Sequence, residues 1–224
     1  MHMQHIVDSL RPAGLVCLGG FVPRPDDGVP AGSGLADGGC LLLVGNAGPA
    51  MWDCFRAATG AVGASLDDWT RAAIDPLAVT LAAAAFYPFA GPPYLPFQRW
   101  AERSGAAFAS PLGLAIHPQF GLWHAYRAAL LFDKAVDGIV PAVASSPCES
   151  CAERPCLRAC PVGAFTADGY DVPVCRGHLE REEGAACREG GCLARHACPV
   201  GRAYTYAPEQ ATFHMAAFRG LPDG

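Results

Sequence analysis

The chain has 224 residues and a formal net charge of −5, and hydrophobic residues make up 51% of it. This length suits one large domain, or an ordinary domain with a small one, and supplies enough apolar residues for a core. Nucleic acids and anionic membranes attract basic surfaces, so the acidic balance argues against both as partners. The longest apolar stretch, Leu77 to Tyr87, is too short to span a bilayer, and residues 1–12 do not resemble a signal peptide. We therefore expect a soluble, cytoplasmic protein.

The first half of the chain alternates predicted strands and helices. The run CLLLVG from Cys40 to Gly45 is typical of a buried strand, and a helix is predicted over residues 50–58. Ser65 begins a capping-box pattern, and Asp75 with Pro76 predicts the start of a second helix through residue 86.

The next segments are punctuated by proline and glycine. Four prolines between Tyr87 and Pro96 indicate a loop, and Gly105 ends a short predicted helix over residues 97–104. Pro118 and Gly121 predict a turn between two apolar segments. Composition alone leaves residues 122–132 open between helix and strand, because Ala and Leu favour a helix.

Cysteine usage divides the chain. Three of the eleven cysteines, Cys17, Cys40 and Cys54, are scattered and are interpreted as small buried apolar residues, whereas the other eight lie between positions 148 and 198. The odd total, without an export signal, argues against a disulfide framework. Composition also changes after residue 145. We therefore predict two domains, residues 1–145 and residues 146–224.

The eight clustered cysteines form two runs that end alike. The first reads C-x2-C-x4-C-x3-C-P from Cys148 to Pro161, and the second reads C-x11-C-x4-C-x5-C-P from Cys175 to Pro199. Each final cysteine begins the sequence Cys-Pro-Val-Gly. Residues 164–173, between the runs, predict a tight β-hairpin around Asp168-Gly169.

Bacterial two-cluster ferredoxins carry C-x2-C-x2-C-x3-C-P, whose fourth cysteine binds the other [4Fe-4S] cluster. Carrying this crossed pattern over gives two ligand sets. The first cysteine set is Cys148, Cys151, Cys156 and Cys198, and the second cysteine set is Cys160, Cys175, Cys187 and Cys192. Zinc also accepts four cysteines with C-x2-C spacing. The paired Cys-Pro endings and the intervening hairpin favour clusters over zinc.

The order of the eight cysteines, with Cys175 standing alone before the second run, resembles the cluster domain of epoxyqueuosine reductase. That enzyme, like the reductive dehalogenases, couples two [4Fe-4S] clusters to cobalamin. The resemblance covers residues 146–203. It implies a small two-cluster ferredoxin-like domain, although the x4, x4 and x5 spacings depart from the family pattern.

Two further segments are similar to the CblC (MMACHC) family. They are LLLVGNAGPAMWD, residues 41–53, and GLAIHPQFGLWHAYR, residues 113–127, which is built around an IHPxFGxW core. The resemblance implies an α+β architecture with a modified nitroreductase-like N-terminal domain, in which residues 122–132 form a strand. It also implies base-off cobalamin binding, with removal of the upper ligand by reductive decyanation or by dealkylation onto glutathione.

The same resemblance suggests three cofactor-binding residues. His117 would contact a corrin amide or the upper face, Trp123 would pack on the corrin, and Arg127 matches an arginine on the glutathione side of the family's site. Each has a plainer interpretation: a turn histidine, a core tryptophan and a paired arginine. The aromatic and proline-rich residues 86–100 are suited to wall a corrin slot, and no Asp-x-His-x-x-Gly motif supplies a lower cobalt ligand.

The combined expectation is an oxidoreductase with two [4Fe-4S] clusters that pass electrons to bound cobalamin or a related corrinoid. The reaction would be reductive removal of the upper axial ligand. Two alternatives stay open: a non-enzymatic cobalamin chaperone, and an iron–sulfur electron-transfer protein without a corrinoid. A tRNA-modifying role is disfavoured because the acidic chain offers no basic surface.

Overall fold

The computed structural model describes residues 1–30, 38–61, 63–139 and 145–220. The chain forms two compact units: unit 1 comprises Met1–Phe108 and His124–Ala144, and unit 2 comprises Ala109–Trp123 and Ser145–Gly224. The chain thus passes into unit 2 for the last time at the position of the predicted domain boundary. Residues 140–144, just before it, lie outside the described residues. The predicted boundary assigned all of residues 1–145 to one domain, whereas Ala109–Trp123 belongs to unit 2.

The structure mixes helices and strands, in agreement with the predicted α+β class. The α-helices in chain order are α1 (Met3–Leu10), α2 (Ala50–Thr59), α3 (Leu66–Thr80), α4 (Phe97–Arg103), α5 (Pro155–Arg158), α6 (Val172–Leu179), α7 (Ala185–Gly190), α8 (Leu193–His196) and α9 (Pro208–Gly220). The strands are β1 (Val16–Phe21), β2 (Cys40–Ala47), β3 (Ala83–Phe86), β4 (Phe108–Ala109), β5 (Ala115–Ile116), β6 (His124–Phe132), β7 (Phe165–Thr166) and β8 (Gly169–Tyr170). None of the described helices is long and apolar enough to cross a bilayer.

Unit 1 is built on an antiparallel sheet with the strand order β1-β2-β6-β3. Strand β2 pairs on both edges and all eight of its residues are buried, which explains why its sequence is continuously apolar rather than alternating. At Gly45 the register of β2 against β6 shifts, and a Cβ atom there would lie 2.0 Å from the Ala125 carbonyl oxygen. Glycine at this bulge therefore permits the close backbone approach.

Helix α3 corrects one expectation. The Ser65 side chain accepts a hydrogen bond from the Asp68 N–H at 3.0 Å, as the capping pattern predicted, but the helix then runs unbroken to Thr80 with Pro76 inside it. The predicted helix start at Asp75 is wrong. The Asp75 carboxylate instead accepts a hydrogen bond from the Tyr87 hydroxyl.

The predicted continuation of helix to residue 86 is also wrong. Ala82 adopts a left-handed backbone conformation with φ of 51°, which ends the helical path, and β3 then pairs with β6 from Ala83↔Phe132 to Phe86↔Ala129. Alanine favours a helix on its own, so pairing along the edge of the sheet overrides the local preference. The same sheet makes β6 a strand, as the CblC resemblance implied for residues 122–132.

Unit 2 consists of short elements linked by turns. The hairpin of β7 and β8 forms where it was predicted, but its two turn residues are Ala167 and Asp168, and Gly169 is already part of β8. Helices α5 and α8 pack against each other, and α7 packs against α9. The buried side chains of unit 2 include Ile116, Leu122, Trp123, Leu179 and Tyr206.

The central position of β2 predicts that a cavity in this strand lowers the free energy of unfolding. Leu43 is fully buried in β2, so Leu43→Ala is expected to lower the free energy of unfolding by about 2–5 kcal/mol through lost burial and the cavity left behind. Val79 on α3 is 81% exposed, and Val79→Ala is expected to change that free energy by less than about 0.5 kcal/mol. Chemical denaturation measures both. Similar losses from the two variants would contradict the position of β2.

Candidate metal centres

One cavity in unit 2 is enclosed by cysteines from both runs. Cys148, Cys151 and Cys156 of the first run face it together with Cys198 of the second. The cavity is small, with about 20 Å³ open to a water-sized molecule. Its remaining walls are mostly apolar: Pro111, Ile116, Pro147, Arg154, Pro155, Pro199 and Val200. These four cysteines are the members of the first cysteine set.

The thiols around this cavity are close enough to influence one another's ionisation. Burial raises the pKa of Cys148, a hydrogen bond with Ser146 lowers it, and the neighbouring Cys198, Cys156 and Cys151 raise it. Burial likewise raises the pKa of Cys156, as do Cys198 and Cys151. Negative charges this close together repel one another, and a cationic metal group would offset that repulsion.

The other four cysteines form a second neighbourhood. Burial raises the pKa of Cys175, and Cys160 and Cys187 raise it further. Burial also raises the pKa of Cys192, with Cys187 and Cys175 adding to the rise. These relations group the four members of the second cysteine set, which is the grouping that the crossed pattern predicts. That each set binds a cluster stays a prediction.

Two short helices explain how the runs exchange their last cysteines. Helices α5 and α8 each have four residues and are followed by Ala-Cys-Pro, so Cys160 and Cys198 leave their helices in the same way. Because α5 and α8 pack side by side, a cysteine leaving one helix lies near the run that contains the other. Proline after each cysteine cannot donate a backbone hydrogen bond and so prevents the helix from continuing.

The donor arrangement can be tested against the two candidate metals. Within the described ranges, no three His, Cys, Asp or Glu side chains converge closely enough to hold a single metal ion. A tetrahedral zinc with Zn–S bonds of about 2.3 Å draws its sulfurs to within about 4 Å of one another. In a [4Fe-4S] cluster each thiolate binds a different iron, so the sulfurs surround a space. Both metals would use the four thiols of the first cysteine set, and the choice of a cluster over zinc stays a prediction.

The segment Ala109–Trp123 supplies part of the first cavity. Pro111 and Ile116 line it, and the following turn lies backbone to backbone on the end of the second run. A Cβ atom on Gly121 would lie 2.0 Å from the Val200 carbonyl oxygen, and one on Gly201 would lie 2.3 Å from the Phe120 carbonyl. Both glycines have positive φ. At the glycine of the IHPxFGxW core, contact with the Cys-Pro-Val-Gly loop therefore leaves no room for a side chain.

His117 serves the turn that contains Gly121. The backbone groups of His117 and Gly121 exchange hydrogen bonds of 2.9 and 2.8 Å, and His117 Nδ1 accepts from the Gln119 N–H at 3.1 Å. Its ring stacks on Phe120 at 4.4 Å. Burial lowers the pKa of His117, which favours the neutral ring that the Nδ1 acceptor requires.

Trp123 lies in the core of unit 2 with 2% of its surface exposed. The Arg195 guanidinium lies between two rings, 4.6 Å from the Trp123 ring and 4.4 Å from the Tyr206 ring, and Arg195 Nε donates to the Leu122 carbonyl at 2.9 Å. Such cation–π contacts stabilise the packing of the turn on α8. This is the core interpretation that the sequence left open for Trp123.

Arg127 lies on β6 in unit 1, whereas His117 and Trp123 belong to unit 2. Its guanidinium forms an ion pair with Asp67 and donates from Nε to Thr70 Oγ1 at 3.3 Å. Arg127 is thus paired within unit 1. Binding of an anion by this arginine would have to compete with the Asp67 carboxylate.

Sequence reasoning missed several residues beside the cysteines. The Ala164 N–H donates to Cys160 Sγ at 3.3 Å, and the Cys148 N–H donates to the Ser146 hydroxyl at 3.3 Å. Ser146 and Ala164 lie within four residues of their cysteines, so a search for hydrogen-bond partners near each ligand would have found them. The contact of Ile116 with the first cavity carries no comparable sequence signal, because it joins distant segments.

The amino-acid sequence matches no protein-family model and no curated protein. Solved structures with similar folds include epoxyqueuosine reductase from Streptococcus thermophilus, at 14% identity over 94% of this chain and 70% of that one, with a TM-score of 0.57. They also include the B12-trafficking protein CblC of C. elegans, a human MMACHC homologue, at 16% identity over 99% and 97% of the two chains, with a TM-score of 0.55. An epoxyqueuosine reductase bound to a tRNA-Tyr stem loop matches at 16% identity over 93% and 69%, with a TM-score of 0.53. At these identities the similarity is one of fold, and it includes both families that the sequence resembles.

The contact of Gly121 with the Cys-Pro-Val-Gly loop predicts that alanine at Gly121 destabilises the protein more than alanine at Gly163. Gly121 and Gly163 have φ of 58° and 61°, but nothing lies within 4 Å of a Cβ on Gly163. Gly163→Ala is expected to lose about 1–2 kcal/mol of unfolding free energy from its backbone conformation alone. Gly121→Ala is expected to lose about 1–3 kcal/mol more, because its methyl group has no room. Chemical denaturation followed by tryptophan fluorescence measures the difference, and equal losses would contradict the packing.

Proposed function

We propose that this protein is an iron–sulfur reductase that binds cobalamin and reductively removes its upper axial ligand. The observation that carries the proposal is the cavity shared by Cys148, Cys151 and Cys156 of one run and Cys198 of the other. Crossed contributions of this kind are the property of two-cluster ferredoxin sequences from which the ligand sets were derived. The second cysteine set, with its four mutually interacting thiols, supports a second cluster.

The residues around each set would hold the clusters and keep them reducible. Bound [4Fe-4S] clusters supply single electrons at low potential. The protein would contribute eight thiols, which lose their protons on binding, and the Ala164 N–H orients one of the sulfurs, that of Cys160. The proline-rich wall of the first cavity limits the access of water and offers few N–H donors.

Cobalamin as the substrate rests on two independent resemblances. Residues 113–127 resemble a CblC segment, and the cysteine order resembles a cluster domain that acts with cobalamin. The fold similarity to the C. elegans B12-trafficking protein extends over nearly the whole of both chains. The fold similarity to epoxyqueuosine reductase adds support for a reductase. We infer from the missing lower-ligand motif that cobalamin binds base-off.

Reductive removal is favoured over transfer to a thiol. Arg127, which matches the glutathione-side arginine of the CblC family, is paired with Asp67 and Thr70. An incoming glutathione carboxylate would have to displace Asp67, whereas electrons from the clusters need no such anion site. In decyanation, one electron reduces cobalt(III) to cobalt(II) and cyanide leaves with the bonding electron pair.

A specific observation favours one alternative, an iron–sulfur electron-transfer protein without a corrinoid. His117, Trp123 and Arg127 all have contacts within the protein that account for their presence: the turn, the core of unit 2 and the Asp67 pair. The two functions differ in whether cobalamin binds.

The cluster assignment predicts metal content. Anaerobically purified protein is expected to contain about eight irons and eight sulfides per chain, because each [4Fe-4S] cluster needs four thiolates. Cys198→Ser is expected to lower the iron content by more than one iron, since it opens the first site. Iron and sulfide analysis measures this. Cys40→Ser is the control. Because Cys40 is buried in the sheet of unit 1, the iron content of this variant should match that of the wild type.

Stoichiometric zinc in protein produced with ample iron would contradict the cluster assignment. Equal iron loss from Cys40→Ser and Cys198→Ser would contradict the assignment of Cys198.

The substrate assignment predicts a spectral response to cobalamin. Cyanocobalamin is expected to bind with a shift towards its base-off spectrum, and the reduced protein should convert it to cob(II)alamin without added flavin. Cys156→Ala should still bind but lose the conversion, because it removes a ligand of the first site. Cys54→Ala, in unit 1, should retain both. Absorption spectroscopy under anaerobic conditions follows each step.

Absence of any spectral change at cobalamin concentrations far above that of the protein would contradict the corrinoid assignment and favour the electron-transfer alternative. Binding without conversion in fully iron-loaded, reduced wild-type protein would favour a chaperone.

A further inference from the structure

A larger cavity, the sheet-end cavity, lies in unit 1, with about 450 Å³ open to a water-sized molecule. It is bordered by the end of β1, the start of β2, the end of α4 and the segment that follows β6. Strand β6 runs away from Arg127 to Phe132 before the chain reaches this cavity at Ala135. The stretch from Arg127 to Phe132 alone spans roughly 17 Å, at about 3.3 Å per residue. The sheet-end cavity is therefore separate from the Arg127 ion pair.

The walls of the sheet-end cavity are mostly apolar. The side chains of three segments contribute to them: Phe21, Val22, Cys40, Val136 and Ile139. Two polar side chains that line the cavity are already used within the protein. The Ser104 hydroxyl donates to the Ala101 carbonyl at 2.6 Å, and the Cys40 thiol donates to the Lys134 carbonyl at 3.8 Å. The cavity is thus suited to a molecule with an apolar body.

Two arginines also line the sheet-end cavity, Arg24 and Arg103. Arg103 Nε lies 3.4 Å from Asp27 Oδ1, and the guanidinium carbon lies 5.4 Å from the centre of the Phe21 ring. This ion pair leaves the other two nitrogens of the guanidinium as donors, on a side chain that is 32% exposed. Among the residues that the structure describes, Arg103 has no second carboxylate partner and Arg24 has none. The two arginines therefore bring one more positive charge to the cavity than Asp27 neutralises.

The turn that contains Arg24 and Asp27 is fixed against α4. Asp27 Oδ2 accepts a hydrogen bond from the Arg24 N–H at 2.7 Å, and the Asp27 carbonyl accepts one from Trp100 Nε1 at 2.7 Å. Trp100 is fully buried in α4, the helix that also carries Arg103. The backbone of Arg24 and the Arg103 side chain are thus positioned before a ligand binds. Such pre-organisation lowers the entropy lost on binding.

We propose that the sheet-end cavity binds a small organic carboxylate with an apolar body. A guanidinium donates two parallel hydrogen bonds to a carboxylate, an arrangement that an alcohol or an amide does not match. The apolar walls would bury the rest of the molecule, whereas an inorganic anion would gain nothing from them. The described lining residues all belong to unit 1, so the site requires neither a cluster nor cobalamin and goes beyond the proposed function.

Isothermal titration of the full chain with saturated carboxylates, from butyrate to decanoate, is the direct test. The affinity is expected to rise about fourfold for each added methylene until the cavity is filled, because each one buries apolar surface. Octanoate should bind about tenfold more tightly than octanamide, which has the same chain and no charge. Failure of the whole series to bind, or equal affinity for octanoate and octanamide, would overturn the proposal.

Two arginine variants test where the carboxylate binds. Arg24→Gln and Arg103→Gln are each expected to weaken octanoate binding about tenfold, since each removes a charge-assisted hydrogen bond. Arg56→Gln is the control, because it changes the net charge equally and Arg56 is exposed on α2, outside the described lining of the cavity. This control should bind octanoate as the wild type does. Unchanged affinity in both cavity variants would overturn the proposal.

If Arg103→Gln fails to fold because the Asp27 pair is lost, the variant of the exposed Arg24 decides alone. Cyanocobalamin should not displace octanoate, and displacement would overturn the assignment of a separate site. Absence of any spectral response to cobalamin in protein that binds octanoate would overturn the proposed function and leave the carboxylate site standing.

Discussion

The position of Cys198 beside Cys148, Cys151 and Cys156 is the constraint on which the rest of unit 2 depends. These thiols come from opposite ends of a segment of about fifty residues, so the chain between them must fold back on itself. The β7–β8 hairpin and three short helices, α6, α7 and α8, make that return. Metal binding would add to the folding free energy, because the four ligands of each set come together only in the folded chain. On this account unit 2 is organised around its cysteines.

The insertion of Ala109–Trp123 into unit 2 is the second organising feature. The chain leaves unit 1 after Phe108, adds a wall to the first cavity at Ile116, and returns to unit 1 at His124. Gly121 and the Arg195–Trp123 contact hold this segment to the end of the second cysteine run. Residues 113–123 of the second CblC-like segment are therefore part of the unit that contains the cysteines. Any cobalamin contact by His117 would depend on the same packing.

The sequence predicted features that are set locally. The strand at Cys40, the Ser65 cap and the hairpin at Asp168 all follow from short patterns with fixed spacing. Sequence-based prediction failed where contacts between distant segments determine the secondary structure. Strand β3 forms because β6 pairs with it, although its alanines favour a helix. The Ile116 wall of the first cavity likewise has no local signal, because the contact joins residues far apart in the chain.

The central claim is that the two cysteine runs exchange their last ligands. Iron-edge anomalous diffraction from anaerobically grown crystals of the full chain tests it most directly, since it locates iron among identified side chains. The account predicts two compact iron peaks, one enclosed by the first cysteine set and the other by the second cysteine set. A single metal peak, or a peak held by Cys148, Cys151, Cys156 and Cys160 of the first run alone, would contradict it.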